Sequence, residues 1–262
     1  HLTVDQVNSL SNGYNVLEGE MNLVQALYLN NARAPFDDER VRQALCYAID
    51  IDSLLELTED GHGVKLGSSV YPSFTKYFDE DLVGAYPYDP EKAAALLKEA
   101  GAEGISFTIK VPGNYTPHVD TANVLVEMLS MVGVNASIEK VEFSTWLTDV
   151  YKGRDFDATV IGFDAAYLSP DALLQRWVSD DGSNMINFNN AEYDAAIEKA
   201  QSSPDEEEQI QAYKEAQKIL SDTAANVYLQ DLADFVALNP EFTGYEFYPI
   251  YAVDFSKIKP AA

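Results

Sequence analysis

The chain has 262 residues, of which 47% are hydrophobic and 11% aromatic, so it can bury a full core and disorder is not its default state. Its 17 lysines and arginines stand against 43 aspartates and glutamates, and the formal net charge of −26 argues against nucleic acid or an anionic lipid surface as a partner. Cys46 is the single cysteine, and the three histidines, His1, His62 and His118, show no metal-ligand spacing. The sequence therefore predicts no internal disulfide, no metal site and no cofactor.

The first predicted elements are an apolar connector and a helix with clear start signals. Residues 13–30 are apolar and contain tyrosines, but they have no partner strand nearby in the sequence, which is typical of a segment that enters a domain. Acidic residues at 37–39 favour a helix start, and apolar residues from Val41 to Ile49 then recur on one helical face. We expect this face to be buried, with Cys46 as a small core residue and Asp52 as the cap of a second, shorter helix.

Three strands and the helices between them are predicted from residue 89 to residue 163. Asp89 and Pro90 open a helix that ends at Gly101, and alternating apolar and polar residues at 105–111 predict a strand with one buried face. The order of strands and helices favours an α/β fold, with a largely parallel sheet that helices cover on both faces. The remaining members of this unit are a helix at 121–133, a strand at 138–143, a helix from Ser144 to Gly153 and a strand at 156–163.

Helices predominate in the rest of the chain. The acidic residues at 205–208 fit a helix N-terminus, where the helix dipole favours negative charge, so we do not interpret them as a metal site. The aromatic-rich tail at 245–259 has no core of its own. The predicted elements are helices at 169–177, at 190–200 and from a capping box at Ser203 to Leu220, and strands at 227–229 and 235–238.

The loop after the 156–163 strand is the leading candidate for a binding site. Open α/β sheets bind ligands beyond the carboxyl ends of their strands, and this loop carries aromatic rings and a carboxylate at Phe163, Asp164 and Tyr167. The alternative stays open at this point: Phe163 and Tyr167 could pack in the core while Asp164 caps a turn.

Two further places offer candidate ligand contacts. Asn114 and Tyr115 follow the 105–111 strand and would lie at the same end of a parallel sheet, and Trp146 offers an indole face. Each has a structural alternative, because Asn114 and Tyr115 could simply form a turn and tryptophan is often a core anchor.

Catalytic motifs are absent from the sequence. No GxSxG run occurs, so a serine triad has no anchor, and we predict no catalytic residues. A hydrolase that uses carboxylates near Asp164 is the alternative function, since 43 acidic residues could place a pair at a catalytic separation. A purely structural interaction module, without a small-molecule cleft, is a third interpretation.

Several short runs carry a resemblance to a known family. The most specific begins with Asn30-Asn31 and continues as PFDDERVRQAL at 35–45 and YAID at 47–50. Later runs follow in the order expected: YDPEKA at 88–93, FD at 156–157, NAEYD at 190–194 and YKEAQKIL at 213–220. Over most of residues 30–239, the chain resembles the extracellular solute-binding proteins of peptide and nickel ABC importers.

The resemblance implies the fold and the role of the chain. It implies the ligand-gripping second lobe of a two-lobed type II periplasmic-binding-protein fold, with a mixed, mostly parallel sheet flanked by helices. Residues 1–30 would form a crossover segment from a first lobe, 31–240 the second lobe and 241–262 a return segment, with a hinge through 27–32 and 238–242.

The resemblance also implies partners and a location. A monomeric, non-enzymatic protein would capture peptides or a related small solute by hinge closure and deliver it to the permease subunits of an ABC importer. It would act outside the cytoplasm, in the periplasm or on the outer face of the cell membrane through a lipid anchor that this chain does not contain.

One position departs from the family pattern. In peptide binders of this family, the loop after the equivalent strand carries an aspartate that pairs with the α-amino group of the peptide, and Ala166 stands at that position here. Asp164 lies two residues earlier, and Phe163 stands where relatives often have tryptophan. Sugars, modified peptides, opines and metal chelates are therefore expected ligand classes alongside peptides.

Overall fold

The structure is a computed structural model that describes residues 2–10, 13–250 and 252–261, so His1 lies outside the described residues. Its helices are α1 Val4–Ser9, α2 Glu39–Ala48, α3 Ile51–Glu59, α4 Pro90–Glu99, α5 Thr116–Ser130, α6 Phe143–Thr145, α7 Asp171–Leu174, α8 Ala191–Ser202 and α9 Glu206–Asp222. Its strands are β1 Asn15–Glu20, β2 Leu23–Leu29, β3 Val64–Lys65, β4 Ser106–Pro112, β5 Asn135–Val141, β6 Ala158–Asp164, β7 Asn226–Asp231, β8 Ala233–Leu238, β9 Phe242–Thr243 and β10 Lys259–Pro260. A π-helical segment spans Trp146–Lys152, and 3₁₀ turns lie at Glu80–Leu82, Gln175–Trp177 and Phe255–Lys257.

Two of the helix starts predicted from side-chain caps are confirmed. Asp89 is the N-cap of α4, and its side chain accepts a hydrogen bond from the backbone amide of Lys92. Pro90 is the first residue of the helix. Asn190 caps α8 in the same way. Two caps differ from the predicted ones: Asp50 rather than Asp52 caps α3, and Asp205 rather than Ser203 caps α9. Both true caps have an extended backbone, which a cap residue needs to turn its side chain back toward the helix amides.

Six strands form the main sheet, in the order β3-β7-β2-β6-β4-β5. β4 pairs in parallel with both β5 and β6, as predicted for the strand-helix-strand unit. β2 lies between β6 and β7 and runs antiparallel to both, and β3 is antiparallel to β7. The sheet is therefore mixed: β4, β5, β6 and β7 point one way, whereas β2 and β3 point the other way.

Helices cover both faces of this sheet, and the residues of β2 divide between the two faces. Val24, Ala26 and Tyr28 pack into an apolar cluster with α8, α9 and the π-helical segment. Leu27 and Leu29 pack into a second cluster with α2, α4 and α5. This division follows from the alternation of side chains along a strand, and it confirms the predicted α/β architecture.

The run that carries the family resemblance has a structural role in joining these elements. The side chain of Asn30 donates to the carbonyls of Arg154 and Phe156 and accepts from the Ala32 amide, which fixes the chain at the end of β2. The guanidinium of Arg42, on α2, is buried and donates to the carbonyls of Phe36, Thr223 and Ala224. These bonds connect α2 to the segment between α9 and β7.

Part of the predicted crossover segment at residues 1–30 lies in the main sheet. β2 is a central strand of the sheet and is paired along both edges, by β6 and by β7, so residues 23–29 are integral to the sheet. The part of the predicted hinge at 27–29 also lies inside β2. A separate antiparallel ribbon is formed by β1 and β8, from Asn15 opposite Leu238 to Glu20 opposite Ala233. β9 and β10 pair within the predicted return segment.

Cys46 is a buried residue of α2, as predicted, and its thiol lies 3.8 Å from the carbonyl of Asn226. Burial raises the pKa of the thiol to about 12, so it is protonated at neutral pH. A protonated, enclosed thiol is a poor nucleophile, and we assign Cys46 no chemical role.

Glu59, the last residue of α3, is 7% exposed, and its burial raises the pKa of its carboxyl group to about 7. Asp120 and Asp60 raise this pKa further, whereas His62 lowers it. In the unfolded chain a glutamate loses its proton near pH 4.3. Between these two pH values the unfolded state releases a proton that the folded state keeps, so the stability that Glu59 contributes at low pH is lost as the pH rises through about 7.

Glu59→Gln should therefore stabilise the protein at alkaline pH and leave it nearly unchanged in acid. We expect the difference in unfolding free energy between variant and wild type to grow from near zero at pH 4 to about 2 kcal/mol at pH 8. Urea unfolding at several pH values measures it. Asp231, also buried with a raised pKa, should leave some pH dependence in the variant. A difference that does not change with pH would contradict this account.

Candidate functional site

An apolar cleft of about 350 Å³ opens where the carboxyl ends of β4 and β6 meet the start of β2. β4 and β6 are parallel, so the segments that follow them lie at one edge of the sheet, as expected for a ligand site of an α/β fold. The first turn of α5 follows β4, and the π-helical segment closes one side. The lining residues are Met21, Leu23, Tyr115, Pro117, His118, Phe143, Trp146, Leu147, Tyr151, Ile161, Gly162, Phe163 and Leu232.

Aromatic rings form a continuous series along this cleft. Phe163 contacts Tyr151 with ring centroids 6.3 Å apart, and Tyr151 stacks on Trp146 at 6.0 Å. Trp146 lies parallel to Phe143, with 5.9 Å between centroids and 6° between ring planes, and Phe143 meets Tyr115 edge to face at 5.4 Å. Such a wall can bury an apolar or aromatic group of a ligand by contact with ring faces and edges.

Behind the cleft, Phe163 is held by a second set of rings. Its centroid is 5.2 Å from that of Tyr28 and 6.1 Å from that of Trp177, both of which are fully buried. The Trp177 indole donates to Ser69 Oγ at 2.9 Å, which fixes the ring. Phe163 therefore occupies a defined position, with one side against the core and another in the cleft.

Three of the six predicted site residues line the cleft: Phe163, Tyr115 and Trp146. Trp146 combines both interpretations that the sequence left open, because it is 2% exposed and donates to Thr159 Oγ1 at 2.9 Å while its ring still borders the cleft. Tyr115 is 40% exposed at the start of α5. Phe163 likewise packs partly against the core, as its alternative interpretation held.

The other three predicted residues do not line the cleft. Asp164 is exposed at the end of β6, and Asn114 is exposed in the turn between β4 and α5. Tyr167 is exposed and donates to Asp171 Oδ2 at 2.9 Å. Ala166, at the position of the family's aspartate, is exposed in the same loop as Tyr167.

The structure adds residues that the sequence analysis did not select. His118, Phe143 and Tyr151 line the cleft, and the guanidinium of Arg176 stacks over Phe163 with Cζ 3.9 Å from the ring centroid. Arg176 Nε and Nη1 are enclosed and make no hydrogen bond within the described part of the chain. The one available sequence signal is an arginine close to the large apolar residues Leu173, Leu174 and Trp177.

The described residues contain no group of three or more histidine, cysteine or acidic side chains placed to hold a metal ion. Over the same ranges, no helix is both long enough and apolar enough to cross a lipid bilayer. A smaller cavity of about 120 Å³ lies elsewhere, beside Cys46, Tyr86 and Tyr228, and none of the predicted site residues lines it.

Comparisons with known proteins agree with this architecture. A sequence model described as "Bacterial extracellular solute-binding proteins, family 5 Middle" matches residues 1–185. The dipeptide-binding protein of Escherichia coli K12 is 30% identical over 233 residues, which cover 86% of this chain and 43% of that protein. Heme-binding protein A of Haemophilus influenzae is 31% identical over 231 residues, which cover 85% of this chain and 42% of that protein. The chain thus spans less than half the length of these curated relatives.

A solved structure confirms the predicted fold class. The dipeptide-binding protein of Pseudoalteromonas sp. SM9913, solved in complex with Met-Leu, superposes with a TM-score of 0.82 at 26% identity. The match covers 99% of this chain and 53% of that one. The fold is a type II periplasmic-binding-protein architecture with a mixed sheet flanked by helices.

Proposed function

Because the chain belongs to the bacterial extracellular solute-binding proteins of family 5, we propose that it forms the second lobe of the substrate-binding component of an ABC importer. This component captures a small solute between two lobes and presents it to the permease subunits. The observation that carries the proposal is the aromatic cleft at the carboxyl ends of β4 and β6. The family is one of solute-binding proteins and not of enzymes, so the hydrolase alternative has no support.

The β1–β8 ribbon is our proposed crossover between the lobes, in place of the hinge at 27–32. It continues from the sheet strands β2 and β7 through short connections at Met21-Asn22 and Leu232, where the Met21 amide donates to the Leu232 carbonyl. Asn22 has a left-handed backbone, with φ of 59°. A bend between two paired strands, at an asparagine in the left-handed backbone region, is a suitable place for hinge closure.

The ligand is a peptide or a related small solute with an apolar or aromatic part. Phe163, Tyr115 and Trp146 would contact that part inside the cleft. Asp164, Tyr167 and Asn114 lie outside it and would meet the solute only at its rim, when the lobes close. Ala166 provides no carboxylate for a peptide amino group, so we do not require a free amino terminus.

The protein acts on the extracytoplasmic side, in agreement with the extracellular assignment of the family. We propose the periplasm, or the outer face of the cell membrane through a lipid anchor, as the location, and a monomer as the working state. The net charge of −26 would keep such a protein from binding anionic membranes and nucleic acids directly.

Native mass spectrometry of the full-length protein, purified gently from rich medium, tests the function. A retained small molecule, identified by fragmentation, would support the binding role and define its class. Protein that carries no solute and binds none from a library of peptides, sugars and metal chelates would contradict it.

Phe163→Ala should weaken binding of the solute identified in this way by about tenfold or more, because the cleft loses a large apolar contact. Titration calorimetry measures the change. Phe255→Ala is the matched control: Phe255 is 72% exposed, lies outside the cleft and should not affect binding. Equal losses in the two variants would place the binding site elsewhere.

A further inference from the structure

We propose that His118 is the polar recognition group of the aromatic cleft, a neutral imidazole whose Nε2–H donates a hydrogen bond to an acceptor atom of the bound solute. The identity of the partner as a solute rests on the proposed function, whereas the state of the ring follows from contacts inside the lobe. The inferred ligand class is an apolar or aromatic group that carries a carbonyl, carboxylate or ether oxygen.

His118 is on the first turn of α5 and borders the cleft beside Tyr115, with 5.9 Å between the ring centroids. It is 6% exposed. Nδ1 is 2.8 Å from Nε2 of Gln25, a fully buried residue of β2. A hydrogen bond of this length needs one donor and one acceptor, so the orientation of the Gln25 amide determines where the imidazole proton resides.

A chain of hydrogen bonds that begins at Thr58 supports one orientation of the Gln25 amide. The hydroxyl of Thr58 donates its single hydrogen to the carbonyl of Leu54 at 2.9 Å. It can therefore only accept a hydrogen bond from Gln230 Nε2, which is 3.4 Å away. Gln230 therefore turns its NH₂ group toward Thr58, and the same NH₂ group donates to Gln25 Oε1 at 2.9 Å. The oxygen of the Gln25 amide thus faces Gln230.

The NH₂ group of Gln25 must then face His118 and donate to Nδ1. Nδ1 is an acceptor in this arrangement, and a neutral imidazole with an acceptor at Nδ1 carries its proton on Nε2. The hydroxyl of Thr121 lies 2.8 Å from the carbonyl of Pro117 and 3.1 Å from Gln25 Oε1, so this orientation requires its single hydrogen to point to Gln25 Oε1 rather than to Pro117. Thr58, Gln230 and Gln25 act as positioning residues, because they set the tautomer without touching the solute.

Burial keeps the ring neutral. It lowers the pKa of His118 to about 4, because a charged imidazolium would lose its solvation in this position. Protonation would also place the Nδ1–H group against the NH₂ group of Gln25, where neither can accept a hydrogen bond. Nε2 makes no hydrogen bond to any described residue, and the indole N–H of Trp146 in the same cleft is already used by Thr159. A donor inside an apolar wall favours solutes that place an acceptor against it and rejects those that cannot.

This tautomer also makes a prediction about metals. A histidine binds a metal ion through an unprotonated nitrogen, and here Nε2 is protonated while Nδ1 is engaged by Gln25. The cleft is thus suited to an organic acceptor rather than to direct coordination of a metal by His118.

Nitrogen NMR of the ¹⁵N-labelled full-length protein tests the ring state without any ligand. We expect the His118 signals of the Nε2–H tautomer at pH 7, with no titration above about pH 5. Gln25→Glu should reverse the tautomer or protonate both nitrogens, because a carboxylate can only accept from Nδ1. An Nδ1–H tautomer in the wild type, or an unchanged tautomer in Gln25→Glu, would overturn the proposal.

Two probes with the same carbon skeleton test recognition: acetophenone, which has a carbonyl acceptor, and ethylbenzene, which has none. In the wild type, acetophenone should shift the Nε2–H resonance and ethylbenzene should not. His118→Phe should lower the affinity ratio of acetophenone to ethylbenzene by about three- to tenfold, the worth of one hydrogen bond. His118→Gln, which keeps an N–H near the position of Nε2, should recover part of this ratio.

His62→Phe is the control, since His62 is partly exposed and bonded to Glu18 rather than placed in the cleft. An affinity ratio that is the same in wild type and His118→Phe, or failure of acetophenone to bind the wild type, would overturn the recognition role. The proposed function would still stand if native mass spectrometry finds a retained solute, so the two proposals fail separately.

Discussion

Arg42→Met should destabilise the fold by about 3–5 kcal/mol, although it changes a residue with no part in the cleft. Methionine keeps an unbranched apolar stem that reaches about as far as Nε but removes the three donated hydrogen bonds to the carbonyls of Phe36, Thr223 and Ala224, at 2.8, 2.8 and 3.0 Å. Those carbonyls would remain enclosed without donors, since Arg42 is 7% exposed. Urea unfolding followed by far-ultraviolet circular dichroism measures the loss.

Arg40→Met provides a matched control from the same helix. Arg40 is exposed and its guanidinium pairs with Asp38 on the surface, so its removal should change the midpoint of unfolding little. Arg42→Lys should be intermediate, because a single ammonium group cannot reach three carbonyls as a planar guanidinium does. If Arg40→Met were as damaging as Arg42→Met, the cost would come from the charge of the helix rather than from the buried hydrogen bonds.

Trp177→Ala should cost about 3–5 kcal/mol of stability and also loosen the cleft. The ring is 1% exposed, stacks on Tyr28 with 5.6 Å between centroids, and supports Phe163 from behind. Its loss leaves a cavity and removes the indole donor from Ser69 Oγ, which keeps its hydrogen bond to the Tyr228 hydroxyl. We therefore expect both a lower unfolding free energy and weaker solute binding, measured by chemical unfolding and by calorimetry.

Leu168→Ala, in the loop between β6 and α7, is the comparison, because Leu168 is 66% exposed and should have almost no effect on stability. Solute binding in Trp177→Ala that is unchanged under conditions where the variant is fully folded would show that Phe163 does not need this support. A stability loss below about 1 kcal/mol would mean that neighbouring side chains close the cavity.

The local parts of the fold could be predicted because their signals lie within a few residues. Helix starts are predicted by Asp89 with Pro90 and by Asn190, and the alternation of apolar and polar residues at 105–111 predicts a strand. β2 was not recognised as a sheet strand. Buried on both faces from Val24 to Leu29, it lacks an alternating pattern, and its partners β6 and β7 come about 130 and 200 residues later in the chain.

The site could be predicted only in part for a related reason. The rule that ligands bind at strand carboxyl ends selected Phe163 and Tyr115, but it could not separate them from Asp164 and Asn114, because which side chains turn inward depends on packing. His118 had no sequence signal at all. Its state depends on Gln25 and Gln230, which are distant in sequence and meet only in the folded sheet.

The two tryptophans of the chain, Trp146 and Trp177, both belong to the ring system around Phe163. Emission excited selectively at tryptophan in this lobe therefore originates beside the cleft. One indole borders the cleft that a solute would fill, and the other lies behind the wall of the cleft. Solute binding should therefore change the intensity or the emission wavelength of tryptophan fluorescence without any added dye. Intrinsic tryptophan fluorescence thus reports solute binding to this cleft.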